Sequence, residues 1–111
     1  MQIETKQEMI DICILAHLKR NDSYSYDILS SIASIITLSE INLYAILRRL
    51  EAKKLLTVYS QEYNKRLRRY YKITSEGSEI VDTFNNKWRG IATICNFINM
   101  EKPGNDKKRR R

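Results

Sequence analysis

Residues 39–73 read SEINLYAILRRLEAKKLLTVYSQEYNKRLRRYYKI, and the spacing of apolar residues changes within this stretch. Three leucines recur at steps of four and three, namely Leu43, Leu47 and Leu50. This spacing predicts the buried stripe of a helix over 39–54. Ser39 is a favourable N-cap for that helix, because a serine oxygen accepts a hydrogen bond from an unpaired backbone N–H. The stretch therefore begins with an amphipathic helix.

From Leu55 onward the pattern becomes that of β-strands. Residues 55–62 and 67–73 are rich in β-formers, and the basic sequence Tyr63-Asn64-Lys65-Arg66 lies between them. We predict a β-hairpin with a basic tip. The Asn-Gly pair of the commonest two-residue turn is missing, which leaves the turn type open. A lone hairpin is marginal in water, so this one must pack on helices.

Helices are predicted on both sides of this stretch. Residues 5–20 are apolar on most faces and predict a mostly buried helix, and residues 24–35 predict a second, amphipathic one. After the hairpin, Thr74 is a plausible cap for a helix over 75–99. At about 1.5 Å per residue that helix is about 37 Å long. A helix of this length is longer than a three-helix body of this size can bury along one face.

The long last helix carries an apolar stripe whose members are mostly three or four positions apart. The simplest partner for that stripe is the same helix of a second copy, which predicts a homodimer. The residues expected at this interface are Phe84, Trp88, Ile91, Cys95 and Ile98. We expect a body over 1–74, a dimerisation helix over 75–100 and a disordered basic tail over 101–111.

Length and composition restrict the class of protein. The chain has 111 residues, of which 42% are hydrophobic, so one domain is expected. No run of about 18 apolar residues predicts a membrane span. The acidic N-terminus is unlike a signal peptide, so a cytoplasmic protein is expected. Cys13 and Cys95 are expected to be buried free thiols, with a redox switch as the alternative. His17 is expected on a helix surface, and no metal or cofactor is predicted.

The formal net charge of +7 is concentrated in two segments. Residues 44–72 hold nine basic and two acidic groups, and residues 101–111 hold six basic and two acidic groups. The remainder is mildly acidic. A basic surface on an acidic body is the electrostatic pattern of a protein with a polyanionic partner. A solvated basic face is the alternative that charge alone leaves open.

The predicted order is three helices, a basic hairpin and a long helix, which is the plan of a winged helix-turn-helix. The fold class is therefore mainly α with a small β-hairpin. In this plan the third helix enters the major groove of double-stranded DNA, and the hairpin tip reaches phosphates or the minor groove. The residues predicted to contact DNA are Ser39, Asn42, Tyr44, Arg48, Arg49, Lys65, Arg66 and Arg68.

The region contains a pair of adjacent arginines and a pair of adjacent tyrosines, and each pair has its own predicted role. Arg48 and Arg49 point about 100° apart on a helix, so one of them can serve the body and the other the partner. Tyr70 and Tyr71 are assigned to strand packing rather than to base stacking. Their position within a predicted strand favours that role.

Three ordered motifs resemble the PadR-like family of transcriptional regulators. Residues 24–29, YSYDIL, resemble the family's HGYEIL. Residues 38–51, LSEINLYAILRRLE, look like LSxxTLYxxLRRLE, and residues 68–77, RRYYKITSEG, are similar to RxYYxLTxxG. The resemblance covers about residues 9–98. It implies a dimeric winged-helix repressor in the short form with one C-terminal dimerisation helix.

The chain departs from the family pattern at three positions. Asn42 replaces the usual Thr, Ser25 replaces the usual Gly, and Leu67 stands where the wing often has Pro. Asn makes bidentate contacts with adenine, so the operator is expected to differ. Leu67 leaves the shape of the wing open.

The resemblance also implies an effector site. Trp88 falls where small multidrug-sensing members carry a tryptophan that lines a pore at the dimer centre. By position, the candidate ligand-lining residues are Ile12, Trp88 and Ala92. The predicted protein is a repressor that binds a pseudo-palindromic operator through two helices about 34 Å apart. A small hydrophobic or planar effector would release it.

Two other classes of function compete with a repressor. A winged-helix protein-interaction module, docking an acidic partner without an operator, is the main alternative. An enzyme ranks third, because the sequence has no Ser/His/Asp set and no Gly-rich phosphate loop.

Overall fold

A computed structural model describes residues 6–100 as four helices and one two-stranded antiparallel sheet. The elements are α1 (Lys6–Arg20), α2 (Ser25–Ile32), α3 (Glu40–Ala52), β1 (Leu56–Tyr63), β2 (Arg66–Ile73) and α4 (Ser75–Ile98). This order confirms the predicted fold class of a mainly α winged helix-turn-helix with a long last helix. The predicted basic tail lies outside the described residues.

The hydrophobic core lies where α1, α2, α3 and the hairpin meet. Each helix turns one apolar face inward, and the hairpin adds one side chain from each strand. The buried apolar residues are Ile14, Leu15, Leu18, Ile28, Ile32, Leu43, Leu47, Leu50, Leu56 and Tyr71. Burial of one Leu or Ile side chain contributes about 1.5–3 kcal/mol relative to exposure. The three leucines of the predicted α3 stripe are therefore part of the common core.

Helix α3 is capped at both ends. The Ser39 side chain accepts a hydrogen bond from the backbone N–H of Asn42 at 3.1 Å, as the N-cap prediction required. At the other end, Leu55 N–H donates to the Leu50 carbonyl at 3.0 Å. Lys54 adopts a φ of 64°, which makes this end a Schellman motif. The helix stops at Ala52, and the predicted end at 54 was wrong because no glycine marked the left-handed residue.

The hairpin turn consists of two residues. Tyr63 pairs with Arg66, and the loop residues Asn64 and Lys65 have φ values of 52° and 65°. Positive φ at both positions is the backbone of a type I′ turn, whose twist matches that of the flanking strands. Asn tolerates this conformation readily, whereas Lys occupies it at a cost. The turn therefore forms without the glycine whose absence left its type open.

A third backbone segment joins the hairpin through Ser23. Ser23 N–H donates to the Tyr71 carbonyl at 3.1 Å, and Tyr71 N–H donates to the Ser23 carbonyl at 2.8 Å. This bridge ties the α1–α2 connection to β2. It places Tyr24 beside the outer face of the hairpin.

Helix α4 begins against the hairpin and then runs along α1. The Thr74 hydroxyl accepts a hydrogen bond from Gly77 N–H at 3.1 Å, as the predicted cap required. Lys19 of α1 and Asp82 of α4 form an ion pair. The half-buried residues of α4 follow one stripe, namely Ser78, Val81, Phe84, Trp88 and Ile91. Beyond Ile91 every described residue of α4 is exposed.

Candidate nucleic-acid interface

The outermost line of α3 lies opposite its buried leucines. At 100° per residue, Ile41, Ala45 and Arg48 fall on the side of the helix away from Leu43 and Leu47. All three are exposed. This line is the part of α3 that is presented to a partner.

The adjacent arginines of α3 have separate roles. The two terminal nitrogens of the Arg49 guanidinium, Nη1 and Nη2, donate to the Asp11 carboxylate of α1, each at 2.8 Å. These hydrogen bonds raise the pKa of Arg49 above its ordinary value, with burial opposing them. Arg48 is exposed. Of the two residues predicted to contact DNA, Arg49 thus joins α3 to α1, and Arg48 lies on the outer line.

A cleft of about 480 Å³ separates α3 from the hairpin. Two arginines and one glutamate supply its charge, and its lining residues are Tyr44, Leu47, Arg48, Glu51, Arg69 and Tyr71. Burial raises the pKa of Tyr71, and the nearby Arg69 and Arg48 oppose that rise. The cleft therefore brings one arginine from the helix and one from the hairpin to the same opening.

Tyr44 occupies the edge of this cleft and is held from α2. Its hydroxyl lies 3.2 Å from Ser25 Oγ. Ser25 is the residue that departs from the family's glycine, so the departure supplies a hydrogen-bonding group to Tyr44. Asn42, also predicted to contact DNA, is exposed in the first turn of α3.

The two faces of β2 separate its adjacent arginines. Arg69 shares a face with the buried Tyr71, and Arg68 points to the opposite face. The Arg68 guanidinium carbon lies 4.1 Å from the ring centroid of Tyr24 and 4.2 Å from that of Tyr63. These are cation–π contacts that hold Arg68 on the outer face. Of these two arginines, Arg69 lines the cleft, and it was not among the residues predicted to contact DNA.

The period of two in a strand would have identified Arg69. Tyr71 is the core residue of β2, so the side chain two positions earlier shares its face. The composition of the strand alone left open which of Tyr70 and Tyr71 points inward. Lys65 and Arg66, both predicted to contact DNA, are exposed at the hairpin tip.

Tyrosines pack against one another on the outer face of the hairpin. The rings of Tyr59 and Tyr70 stack with centroids 5.6 Å apart, and Tyr24 meets Tyr70 edge-on at 5.9 Å. Tyr59 donates a hydrogen bond of 2.8 Å to Asp22, which raises the pKa of Tyr59. The packing role predicted for Tyr70 and Tyr71 agrees with these contacts and with the burial of Tyr71.

The residues predicted at a dimer interface fall into two groups. Phe84, Trp88 and Ile91 are half-buried within one chain, whereas Cys95 and Ile98 are exposed. Two further apolar side chains were not predicted and are well exposed, Ile94 at 55% and Phe97 at 74%. The end of α4 thus presents a larger apolar patch than the predicted stripe.

One of the three predicted ligand-lining residues, Ile12, lies in a groove between α1 and α4 within a single chain. Ile12 and Phe84 line this groove of about 330 Å³, and neither Trp88 nor Ala92 is among its lining residues. Trp88 packs beside Phe84, with ring centroids 6.0 Å apart. Its indole Nε1 is buried and has no hydrogen-bond partner among the described residues.

The cysteines and the histidine differ from their predicted environments. Cys13 is half-buried, and burial raises the pKa of its thiol. Cys95, which was predicted to be buried and to lie at a dimer interface, is exposed within a single chain, because the body ends before α4 does. His17 was expected on a helix surface, yet its Nε2 lies 2.8 Å from the buried Ser23 hydroxyl.

No group of three or more His, Cys, Asp or Glu side chains within residues 6–100 is arranged to hold a metal ion. None of the helices described combines the length and the hydropathy that a membrane span requires.

Known proteins resemble this chain along most of its length. A protein from Lysinibacillus sphaericus whose function is uncharacterised is 29% identical over 94 residues, covering 80% of this chain and 86% of the relative. A PadR family transcription regulator from Clostridium difficile has a similar structure, with a TM-score of 0.71 and 30% identity. The match covers 80% of this chain and 96% of that one.

A Streptococcus mutans protein of known structure has a TM-score of 0.75 and 31% identity, over 95% of this chain and all of its own. The model of the PadR-like family of transcriptional regulators matches residues 14–83. That range includes α3 and the hairpin, which line the cleft that holds Arg48 and Arg69. The chain belongs to the PadR-like family of transcriptional regulators.

Proposed function

We propose that this chain is a homodimeric repressor that binds a pseudo-palindromic operator through α3 and the hairpin. The observation that carries the proposal is the cleft in which Arg48 of α3 and Arg69 of β2 open to the same side. Arginine neutralises phosphate and forms bidentate hydrogen bonds with it. A DNA backbone that passes between the helix in the major groove and the wing would meet both guanidinium groups.

We divide the predicted DNA-binding residues by role, according to whether each is exposed or already engaged within the chain. We assign Arg48, Arg69, Lys65 and Arg66 to phosphate contacts and Asn42 to a base edge. Ser39 caps α3, and Arg49 and Arg68 are engaged within the chain. We therefore assign these three residues to positioning α3 and the wing rather than to direct contact.

Binding to the DNA just upstream of the protein's own reading frame tests the proposal. We expect a mobility-shift complex that persists against excess unrelated DNA. Arg48→Ala and Arg69→Ala should each weaken binding to all sequences and reduce the slope of log K against log salt by about one. Arg89→Ala, which removes the same charge from the exposed side of α4, is the matched control.

The opposite result would identify the alternative function. If the complex with the upstream DNA is no more stable than one with unrelated DNA, and both are lost on adding salt, the operator proposal fails. A winged-helix module that docks an acidic protein would then be the better account.

Dimerisation is proposed from the exposed end of α4. Ile94, Phe97 and Ile98 are large apolar side chains that one chain leaves in water. Pairing with a second α4 would bury them and set the spacing of two α3 helices. Sedimentation equilibrium should give a dimer for the wild type and a monomer for Ile94→Ser with Phe97→Ser. Leu67→Ser, an equally apolar exposed site on the wing, should remain dimeric.

Release by a small hydrophobic or planar effector is proposed from the surroundings of Trp88. An aromatic neighbour and a buried indole N–H without a partner among the described residues would suit a planar ligand with an acceptor atom. Trp88 is the only tryptophan in the chain, so its fluorescence reports this site alone. Planar aromatic dyes that quench Trp88 should also release operator DNA, and quenching without release would contradict the effector role.

A further inference from the structure

The most exposed large apolar side chain of α3 is Ile41, at 80% exposure in the first turn. Ala45 follows it one turn later on the same line, and Arg48 continues that line. The first turn of a recognition helix is the part that approaches base edges most closely. An apolar strip thus occupies the position where the helix would meet the bases.

The neighbouring positions limit what this strip can do. Asn42 and Tyr44 lie about 100° to either side of the buried Leu43, whereas Ile41 points almost directly away from it. Ile41 cannot pack on the core from there, and its side chain has no donor or acceptor. Its favourable interactions are therefore apolar contacts with a partner.

We propose that Ile41 and Ala45 read the C5-methyl groups of thymine in the operator. This inference rests on the proposed function. Among the four bases, thymine is the one that presents an apolar group in the major groove. Because Asn42 beside the strip is suited to adenine, the two contacts together select A·T pairs. The operator half-site should contain thymine where the first turn of α3 enters the groove.

Replacing single operator thymines with deoxyuridine tests this proposal. Deoxyuridine lacks only the methyl group and retains every hydrogen-bonding atom. For the wild-type protein, one or two positions in each half-site should weaken binding about four-fold, the value expected for one buried methyl group. For Ile41→Ala, deoxyuridine at the position that Ile41 reads should have little effect, because the contact is already lost.

A matched variant separates the role of Ile41 from a general loss of apolar surface. Ile35→Ala removes the same atoms from another exposed site, in the turn between α2 and α3, and should keep the full sensitivity to deoxyuridine. Because both side chains are exposed, neither substitution opens a cavity in the core.

The outcomes distinguish this inference from the proposed function. The protein could bind the operator specifically and yet be insensitive to deoxyuridine at every thymine position. That result would overturn the proposed contact with thymine methyl groups and leave the repressor proposal intact. Equal sensitivity in the wild type and in Ile41→Ala would overturn the assignment to Ile41. Failure to bind any operator specifically would overturn the proposed function and the inference with it.

Discussion

Arg49 and Asp11 form a bidentate ion pair that joins α3 to α1, with both nitrogen–oxygen distances at 2.8 Å. The side chain of Asp11 is 13% exposed and that of Arg49 is 29% exposed. The pair is thus partly shielded from water and has the geometry in which a charged hydrogen bond is strongest. The pair fixes the orientation of α3 relative to α1, while the adjacent Arg48 remains at the surface.

This difference predicts that replacing Arg49 mainly lowers stability, whereas replacing Arg48 mainly weakens DNA binding. Arg49→Ala should lower the free energy of unfolding by about 2 kcal/mol, because it leaves a partly buried carboxylate without its donors. Arg48→Ala should change stability by less than about 0.5 kcal/mol and should weaken DNA binding. Urea denaturation and mobility shift measure the two quantities. Equal stability of both variants would contradict the assigned roles.

Lys54 holds a left-handed conformation at the end of α3 and offers a stabilising substitution. Lys54→Gly should raise the free energy of unfolding by about 1 kcal/mol, because glycine adopts φ of 64° without a steric cost. Lys53→Gly is the control. Lys53 has a φ of −83°, so the change brings no relief and adds chain entropy. Thermal denaturation compares the two, and a gain for Lys53→Gly alone would refute the explanation.

The two glycines of α4 should respond to alanine in opposite directions. A Cβ atom on Gly77 would lie 2.2 Å from the Leu55 carbonyl oxygen, which is backbone and cannot move aside cheaply. Gly77→Ala should therefore destabilise the fold by more than about 2 kcal/mol. Gly90 has no neighbouring atom within 4 Å of such a Cβ. Gly90→Ala should stabilise α4 by about 1 kcal/mol.

Denaturant midpoints of the two alanine variants provide the test. Destabilisation by Gly90→Ala would mean that another surface, such as a second copy of the chain, packs closely at that position. Tolerance of alanine at Gly77 would contradict the close approach of α4 to the end of α3.

His17 predicts a loss of stability at mildly acidic pH. The Ser23 hydroxyl donates to the Asn21 carbonyl at 3.0 Å, so it accepts from His17 Nε2–H, and Nδ1 is left buried without a partner among the described residues. Burial lowers the pKa of His17 below its ordinary value of 6.5. Asp27 opposes this shift, and Arg20 adds to it.

The sign of the pH dependence follows from proton uptake. Between the lowered pKa and 6.5 the unfolded chain binds more protons at this site, so stability is full above about pH 6.5 and falls as pH decreases. His17→Gln keeps an N–H donor for Ser23 but does not titrate. Its stability should vary less between pH 7 and 5 than that of the wild type. Parallel profiles for the two proteins would contradict the role assigned to His17.

Local patterns were sufficient to predict the helices, the hairpin and the N-caps of α3 and α4. The spacing of Leu43, Leu47 and Leu50 predicted one face of α3, and Ser39 and Thr74 both serve as the caps that their side chains suggested. These features follow from periodicity and from hydrogen bonds within a few residues, which the linear sequence contains directly. The end of α3 was missed because Lys54 takes a conformation that the sequence normally marks with glycine.

The roles of adjacent arginines required contacts between residues distant in the chain. Asp11 lies 38 positions from Arg49, and nothing local links the two. Tyr24 likewise reaches Arg68 from outside the hairpin, whereas Arg69 lines the cleft because it shares a strand face with the buried Tyr71. Composition and local periodicity thus determine that the surface is basic and which elements carry it. The packing of α1 and α2 against α3 and the wing determines which arginines remain available to DNA, because a cation already paired within the fold gives up that partner to bind another.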